Sequence, residues 1–340
     1  MLRTDDTPAP SPKSRWLVST DWLTEHLRDR NLVVVDGSYF LPTQQRDAHA
    51  EYRDGHIPGA VIFDIEAISD HSTDLPHMLP GTTHFSQAAG ALGIGDGDTI
   101  VVYDSVGLFS APRVWWTFRV FGAKNVYILD GGLPRWKSED RPLEKGDNAR
   151  TPKTFTAEMN VGAVAMLADV RMALTDESAQ LVDARPPERF SGQAPEPRPG
   201  LHSGHMPGSF NVPYSRLVEN GRLVPRARIE AAFTAAGVDL DKPIITSCGS
   251  GVSAAILTLA LESIGRQPKG LYDGSWAEWG RAPTFPSNAA DTVSPARRHD
   301  SQDDLRGVKA QRPRMRRPQE RILRPSLWRP LRGRRISGHR

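Results

Sequence analysis

Cysteine is nearly missing from this chain: Cys248 is the single one among 340 residues. One thiol allows no intramolecular disulfide and no zinc site built on several thiolates, and it suits a reducing compartment. Long apolar runs are missing too. No segment approaches the ~20 residues of a membrane span, and the opening MLRTDDTPAPSPKSRW puts acids and prolines where a secretory leader needs an apolar stretch. A cytoplasmic protein with no membrane partner is expected. Nor does the chain carry a Walker loop, an HExxH pair or a G-x-G-x-x-G after a first strand, so nucleotide and metal chemistry have no support and no cofactor is expected.

The net charge of +3 hides an asymmetry: residues 288–340 carry 15 Lys and Arg against 5 Asp and Glu, so the rest of the chain is net acidic. This Pro-rich tail has no period that would bury a face and reads as disordered. Trp328 is its one stacking aromatic. At most it offers nucleic acid salt-sensitive, unspecific contact, so nucleic acid is not an expected partner.

What is present is a repeat. NLVVVDGSYF (from Asn31) returns as QLVDARPPERF (from Gln180), and RDGHIPGAVIFD (from Arg53) as HSGHMPGSFNVP (from His202). DTIVVYDSVGLFSAPRVWW (from Asp98) is echoed by KPIITSCGSGVSAAILTLA (from Lys242), and YILDGGLPRW by GLYDGSWAEW. The pairs Asp36/Asp183, His56/His205, Asp104/Cys248 and Asp130/Asp273 are offset by 147, 149, 144 and 143 residues. Order kept and spacing nearly constant mean two copies of one domain.

In each copy short β-branched runs alternate with stretches of helical period. Residues 33–35, 100–103 and 126–129 read as buried strands, as do 181–182, 244–247 and 270–272 in the second copy. TDWLTEHL reads as a helix capped by Ser19 or Thr20, and ARIEAAFTAAG as one closed by Gly237. Strand and helix in alternation define an α/β class with a mainly parallel sheet flanked by helices. The expected organisation is a disordered N-terminus over 1–14, a non-catalytic domain over 15–145, a linker over 146–165, a catalytic domain over 166–287 and the basic tail over 288–340.

The two copies act as controls for each other. GH[IM]PG and DG-x-x-x-x-W occur in both, so His56, His205, Trp136 and Trp279 read as structural. Cys248 occurs in one only, replacing Asp104. It follows the run IITS and precedes VSAAILTLALESIG, which puts it at the crevice beyond the C-terminal ends of the strands, where open α/β sheets bind ligands. Gly249, Ser250 and Gly251 allow successive amides to turn inward, and the next helix adds its positive end; such a nest favours the thiolate, the reactive form. The second copy alone also carries Arg185, Arg189 and Arg198, whose planar forks suit a carboxylate. A phosphatase-like reading fails because residues 249–254 hold no arginine to grip phosphate.

These motifs resemble the rhodanese superfamily, specifically the 3-mercaptopyruvate sulfurtransferases. HMLPG, APRVWW, LDGGLPRW, CGSGVSAA and GSWAEW occur in the family's order, and the similarity runs from Trp16 to Pro283. The resemblance implies an enzyme whose first domain is inactive but completes the cleft. It makes Cys248 the nucleophile and sets Arg189 (in ERF) and Arg198 (in EPRPG) on the substrate carboxylate and carbonyl. The loop residues Gly249, Gly251, Val252 and Ser253 would line the substrate. Ser250 would act with His77 (in HMLP) and Glu66 (in FDIEAISD). Two departures stand out: Glu66 replaces the family's frequent aspartate, and Pro187 and Glu188 precede Arg189 where small residues are common.

Family enzymes that use thiosulfate carry basic side chains just after the cysteine, whereas Gly249 and Ser250 stand here. The expected reaction is therefore transfer of sulfur from 3-mercaptopyruvate, through a Cys248 persulfide, to a thiol such as that of thioredoxin or to cyanide. Thiosulfate is the alternative donor.

Overall fold

The computed structural model describes residues 14–281. Of the N-terminus read as disordered over 1–14, residues 1–13 lie outside the described residues, whereas Ser14 is buried and its hydroxyl accepts from the Trp16 amide at 3.2 Å. The tail 288–340, and 282–287 at the end of the second domain, also lie outside them.

Each copy of the repeat forms a five-stranded parallel sheet. In the first, β1 (Leu17–Val18), β2 (Leu32–Asp36), β3 (Val61–Ile62), β4 (Thr99–Tyr103) and β5 (Asn125–Leu129) lie in the order β1-β5-β4-β2-β3. The second copy contains β6 (Val164–Ala165), β7 (Gln180–Asp183) and β8 (Phe210–Asn211), then an antiparallel hairpin of β9 (Val218–Glu219) and β10 (Arg222–Leu223). With β11 (Ile244–Ser247) and β12 (Gly270–Tyr272) its sheet runs β6-β12-β11-β7-β8, the same order. The central strands have apolar residues on both faces because helices cover both; all five residues of β2 are buried. All six strands read from the sequence are present. The edge strands β1, β3, β6 and β8 are two residues long and carry no periodicity in the sequence.

The helices of the first copy are α1 (Thr20–His26), α2 (Ala48–Asp54), α3 (Thr82–Ala91), α4 (Ala111–Val120) and α5 (Gly132–Ser138). Those of the second are α6 (Leu167–Asp176), α7 (Pro187–Phe190), α8 (Arg226–Ala235), α9 (Ala254–Ser263) and α10 (Ser275–Trp279). Ser19 caps α1, its hydroxyl accepting from the Trp22 amide at 3.0 Å, and Gly237 at φ +85° turns the chain out of α8. Helices α4 and α9 pack against each other across the domain boundary. Burial of every residue from Ala254 to Glu262 explains why α9 is apolar all round.

The shared motifs are structural. The His56 ring stacks on Tyr52 at 4.0 Å and donates from Nδ1 to the Tyr52 carbonyl at 2.8 Å; His205 repeats this on Phe190 at 4.0 and 2.8 Å. Trp136 is buried, its Nε1 donating to the Pro142 carbonyl at 2.7 Å. The residues read as linker lie along the first domain: the Lys153 amide donates to Gly90 at 3.0 Å and the Asn160 amide to Val120 at 2.7 Å, and the last two residues form β6.

Each domain reaches over the other. The tip of the β9–β10 hairpin seats Gly221 against Gly107, where a Cβ would stand 2.6 Å from the Gly221 Cα. Arg222 then donates from Nε and Nη2 to Asp130 Oδ2 at 3.0 and 2.5 Å. In the opposite direction the loop 70–81 of the first domain reaches the loop that follows β11 through His77 and Ser250, 3.0 Å apart, and the end of β12, with Leu79 donating its amide to Asp273 at 2.7 Å.

Candidate active site

The loops after β4 and β11 occupy equivalent places, each between the middle strand of its sheet and a buried helix. In the first copy the loop wraps an anion. Asp104 Oδ1 accepts from the amides of Val106 and Gly107 at 2.9 and 2.7 Å, and Oδ2 from those of Phe109, Ser110 and Ala111 at 2.7, 2.9 and 2.9 Å.

In the second copy Cys248 takes that place, buried at 2 % exposure. The glycines at 249 and 251 predict successive amides turned inward. Instead, the amides of Cys248 and Gly251 each donate to Ser275 Oγ at 3.2 Å, and that hydroxyl donates to the Tyr272 carbonyl at 2.7 Å. Among the described residues the amides of Gly249, Ser250, Val252 and Ser253 have no acceptor. With the N-terminus of α9 they are the donors available to an anion at the loop. Gly251 is at φ +76°, and a Cβ there would meet Arg113 Nη1 at 2.7 Å.

The first domain brings His77 to this loop. Its Nδ1 lies 3.0 Å from Ser250 Oγ and 3.2 Å from the Ser250 carbonyl oxygen, and its Nε2 lies 2.8 Å from Glu66 Oε1. The hydrogen bond from His77 holds the Glu66 carboxyl below its ordinary value, against the opposing effect of partial burial. Nε2 donates to the Glu66 carboxylate, and Nδ1 faces both the hydroxyl and the carbonyl oxygen of Ser250. An Asx turn aims Glu66: Asp64 Oδ1 accepts from the Glu66 and Ala67 amides at 2.9 and 3.0 Å. The edge of Tyr39 packs on the His77 ring at 4.8 Å.

The three arginines separate. Arg185 is a structural residue, 1 % exposed, donating from Nε to Asp183 at 2.8 Å, from Nη1 to Glu196 at 2.8 Å and from Nη2 to the Gly204 carbonyl at 2.9 Å. Burial opposes its charge, but Asp183 and Glu196 outweigh that effect and hold it protonated. Arg189 shares Glu196, donating from Nε at 3.2 Å and from Nη2 to the second oxygen. That places Nη2 over the cysteine loop, 3.0 Å from where a Gly249 Cβ would be. The unusual Pro187 and Glu188 start α7, whereas Glu196 orients the guanidinium. Arg198 donates to the Tyr39 hydroxyl at 3.5 Å, across the domain boundary. Burial raises the Tyr39 phenol, partly offset by the Arg198 charge, so it stays neutral.

The structure thus gathers Cys248, Gly249, Ser250, Gly251, His77, Glu66 and Arg189, with Arg198 linked through Tyr39. Val252 is different: its side chain is 4 % exposed within the core, leaving only its backbone for a ligand. Ser253 sits at the N-cap of α9 without a capping hydrogen bond. Ser275, Glu196, Tyr39 and Arg113 went unread. The signals were a charge inside the apolar helix APRVWW and an acid two residues before Arg198, but neither reveals its partner. Among the described residues no group of three or more His, Cys, Asp or Glu side chains is placed to hold a metal, and no helix is long and apolar enough to cross a membrane.

Two parallel α/β domains in tandem, one bearing a cysteine loop that the other covers, define the class of protein. The rhodanese-like domain family matches residues 19–139 and 166–282. The chain is 46 % identical over 272 residues to the 3-mercaptopyruvate sulfurtransferase of Escherichia coli K12, covering 80 % of this chain and 97 % of that one. It is 40 % identical over 300 residues to the mitochondrial thiosulfate/3-mercaptopyruvate sulfurtransferase 1 of Arabidopsis thaliana, covering 82 % and 79 %. The crystal structure of SseA from Escherichia coli, described as a 3-mercaptopyruvate sulfotransferase, matches with a TM-score of 0.72 and 45 % identity over 77 % of this chain and 98 % of that one. The chain belongs to the rhodanese family, within its 3-mercaptopyruvate sulfurtransferase branch.

Proposed function

We propose that Cys248 takes sulfur from 3-mercaptopyruvate as a persulfide and passes it to an external thiol, or to cyanide in vitro. The Cys248 thiolate attacks the donor sulfur; an S–S bond forms, the donor's C–S bond breaks, and the electron pair leaves as the enolate of pyruvate. The proton given up by the Cys248 thiol is the one the pyruvate methyl group gains. On this reading the Ser250–His77 pair carries it, with Glu66 fixing the ring. Arg189 and Arg198 hold the carboxylate and carbonyl, and the open amides of the cysteine loop stabilise the enolate and then the persulfide.

The observation that carries this reading is the chain from Ser250 to His77 to Glu66, 3.0 and 2.8 Å long, which joins the cysteine loop of one domain to an acid of the other. Because Cys248 is the sole cysteine, no internal disulfide exchange releases the sulfur. An acceptor such as thioredoxin must enter. An unpaired thiol suits a reducing compartment, and we read the chain as cytoplasmic.

A paired assay with 3-mercaptopyruvate and thiosulfate, with a Cys248→Ser control, tests the proposal. Preference for mercaptopyruvate with pyruvate released, and silence from the control, supports it. Preference for thiosulfate, a donor named for the Arabidopsis relative, keeps Cys248 but replaces the donor.

A further inference from the structure

We propose that Arg113, a residue of the domain without the cysteine, is the positioning residue that sets the Ser250–His77 contact, on the reading that His77 moves the proton. Its side chain is 3 % exposed in the first turn of α4. Nη2 donates to the His77 carbonyl at 2.5 Å and Nη1 to the Gly251 carbonyl at 3.3 Å. One guanidinium therefore holds the backbone of His77 itself and of the residue after Ser250.

The counter-ion completes the clamp. Nη1 stands 2.7 Å from Asp273 Oδ1, an ion pair without good hydrogen-bond alignment. The other Asp273 oxygen accepts the Leu79 amide at 2.7 Å. The chain is thus fastened at His77 and again two residues later, both through one buried pair. His77 needs such fastening, because it sits at φ +61°, a left-handed conformation unfavourable to a side chain with a Cβ. Asp273 balances the charge, so Arg113 has little field to lend to the sulfur and acts through geometry. A lysine, a single point charge, does not reproduce the fork.

The other copy shows the contrast. Asp130, the counterpart of Asp273, also takes an arginine from the opposite domain, Arg222, but that side chain is 38 % exposed and its donors go to the carboxylate alone. The same aspartate fastens the domains in both places, whereas only Arg113 reaches the backbone of the proposed relay.

The test is a double-mutant cycle. Pyruvate release from 3-mercaptopyruvate is measured for wild type, Arg113→Lys, His77→Ala and the double variant, with thermal unfolding of each to show that it is folded at the assay temperature. Arg113→Lys alone is expected to lower kcat roughly 100-fold, the typical effect of misplacing a reacting group by about 1 Å, with KM changed less than about twofold. In the His77→Ala background the same change should lower nothing further. An equal loss in both backgrounds, or wild-type turnover of Arg113→Lys, overturns the role of Arg113 while leaving the relay intact. Wild-type turnover of His77→Ala alone overturns the relay, and this role with it. Should Arg113→Lys not fold, Asp273→Asn takes its place in the same cycle with the same expected coupling.

Discussion

Asp104 and Cys248 occupy one position in two copies of a loop, and five backbone amides close on the Asp104 carboxylate. The first copy thus shows what this loop does with an anion: it surrounds it. In the proposed mechanism the thiolate, and later the persulfide, of Cys248 would stand where the carboxylate is. Asp104→Ala leaves those amides without an acceptor, and a loss of about 3 kcal/mol in unfolding free energy is expected. Denaturant unfolding measures the loss. Because the loop lies outside the proposed chemistry, KM for mercaptopyruvate should change little. A neutral effect on stability would mean that water replaces the carboxylate without cost.

Glu66 gives a pH dependence of definite sign. Its folded-state carboxyl is lowered by the hydrogen bond from His77. The pairing therefore stabilises the fold above the ordinary glutamate value of about 4.3 and loses that contribution as pH falls through the lowered value. Glu66→Gln should be less stable than wild type at neutral pH, with the two converging below about pH 4. At neutral pH its kcat should fall about tenfold through loss of ring orientation. A stability difference that persists unchanged in acid would remove the carboxylate charge as its cause.

Ser275 is the anchor of the cysteine loop. Its hydroxyl accepts from the amides on both sides of the 249–250 dipeptide, at Cys248 and Gly251. Ser275→Ala should leave two buried amides unpaired, cost about 2 kcal/mol and lower the rate of persulfide formation about tenfold. Single-turnover pyruvate release reads the rate directly. An unchanged rate would show that α10 fixes the loop by its backbone alone, through the Trp276 and Ala277 amides that donate to Cys248 and Gly249 at 2.9 and 2.8 Å.

The sheet and the cysteine loop were legible because each writes a local pattern. Val33 to Val35 and Ile244 to Ser247 are continuous buried runs, and the Asp104/Cys248 exchange stands out once the copies are aligned. Contacts between domains leave no such mark. His77 and Ser250 are 173 residues apart, and their pairing was implied only by resemblance. Arg113 gave less still: an arginine in an apolar helix signals a buried partner, but Asp273 and the His77 carbonyl lie on other segments. Ser275 was hidden because a serine in a turn looks like any turn residue until the amides that donate to it are seen.

The Glu196 carboxylate is 1 % exposed and divided between Arg185 and Arg189. Glu196→Gln acts in two opposing ways. Removing a negative charge leaves the site more positive, which attracts a carboxylate substrate. It also frees Arg189 from the two-point hold that points Nη2 at the cysteine loop. Geometry should win for a specific substrate, since a mobile guanidinium must be ordered again at each binding event, whereas the extra charge favours any anion equally. KM for mercaptopyruvate is expected to rise about tenfold with kcat changed less than about threefold, and inhibition by sulfate should strengthen. Breaking the buried pair should also cost about 3 kcal/mol of stability. Steady-state kinetics in sulfate-free buffer and with added sulfate decide the matter: a KM that falls would show that the charge outweighs the orientation of Arg189.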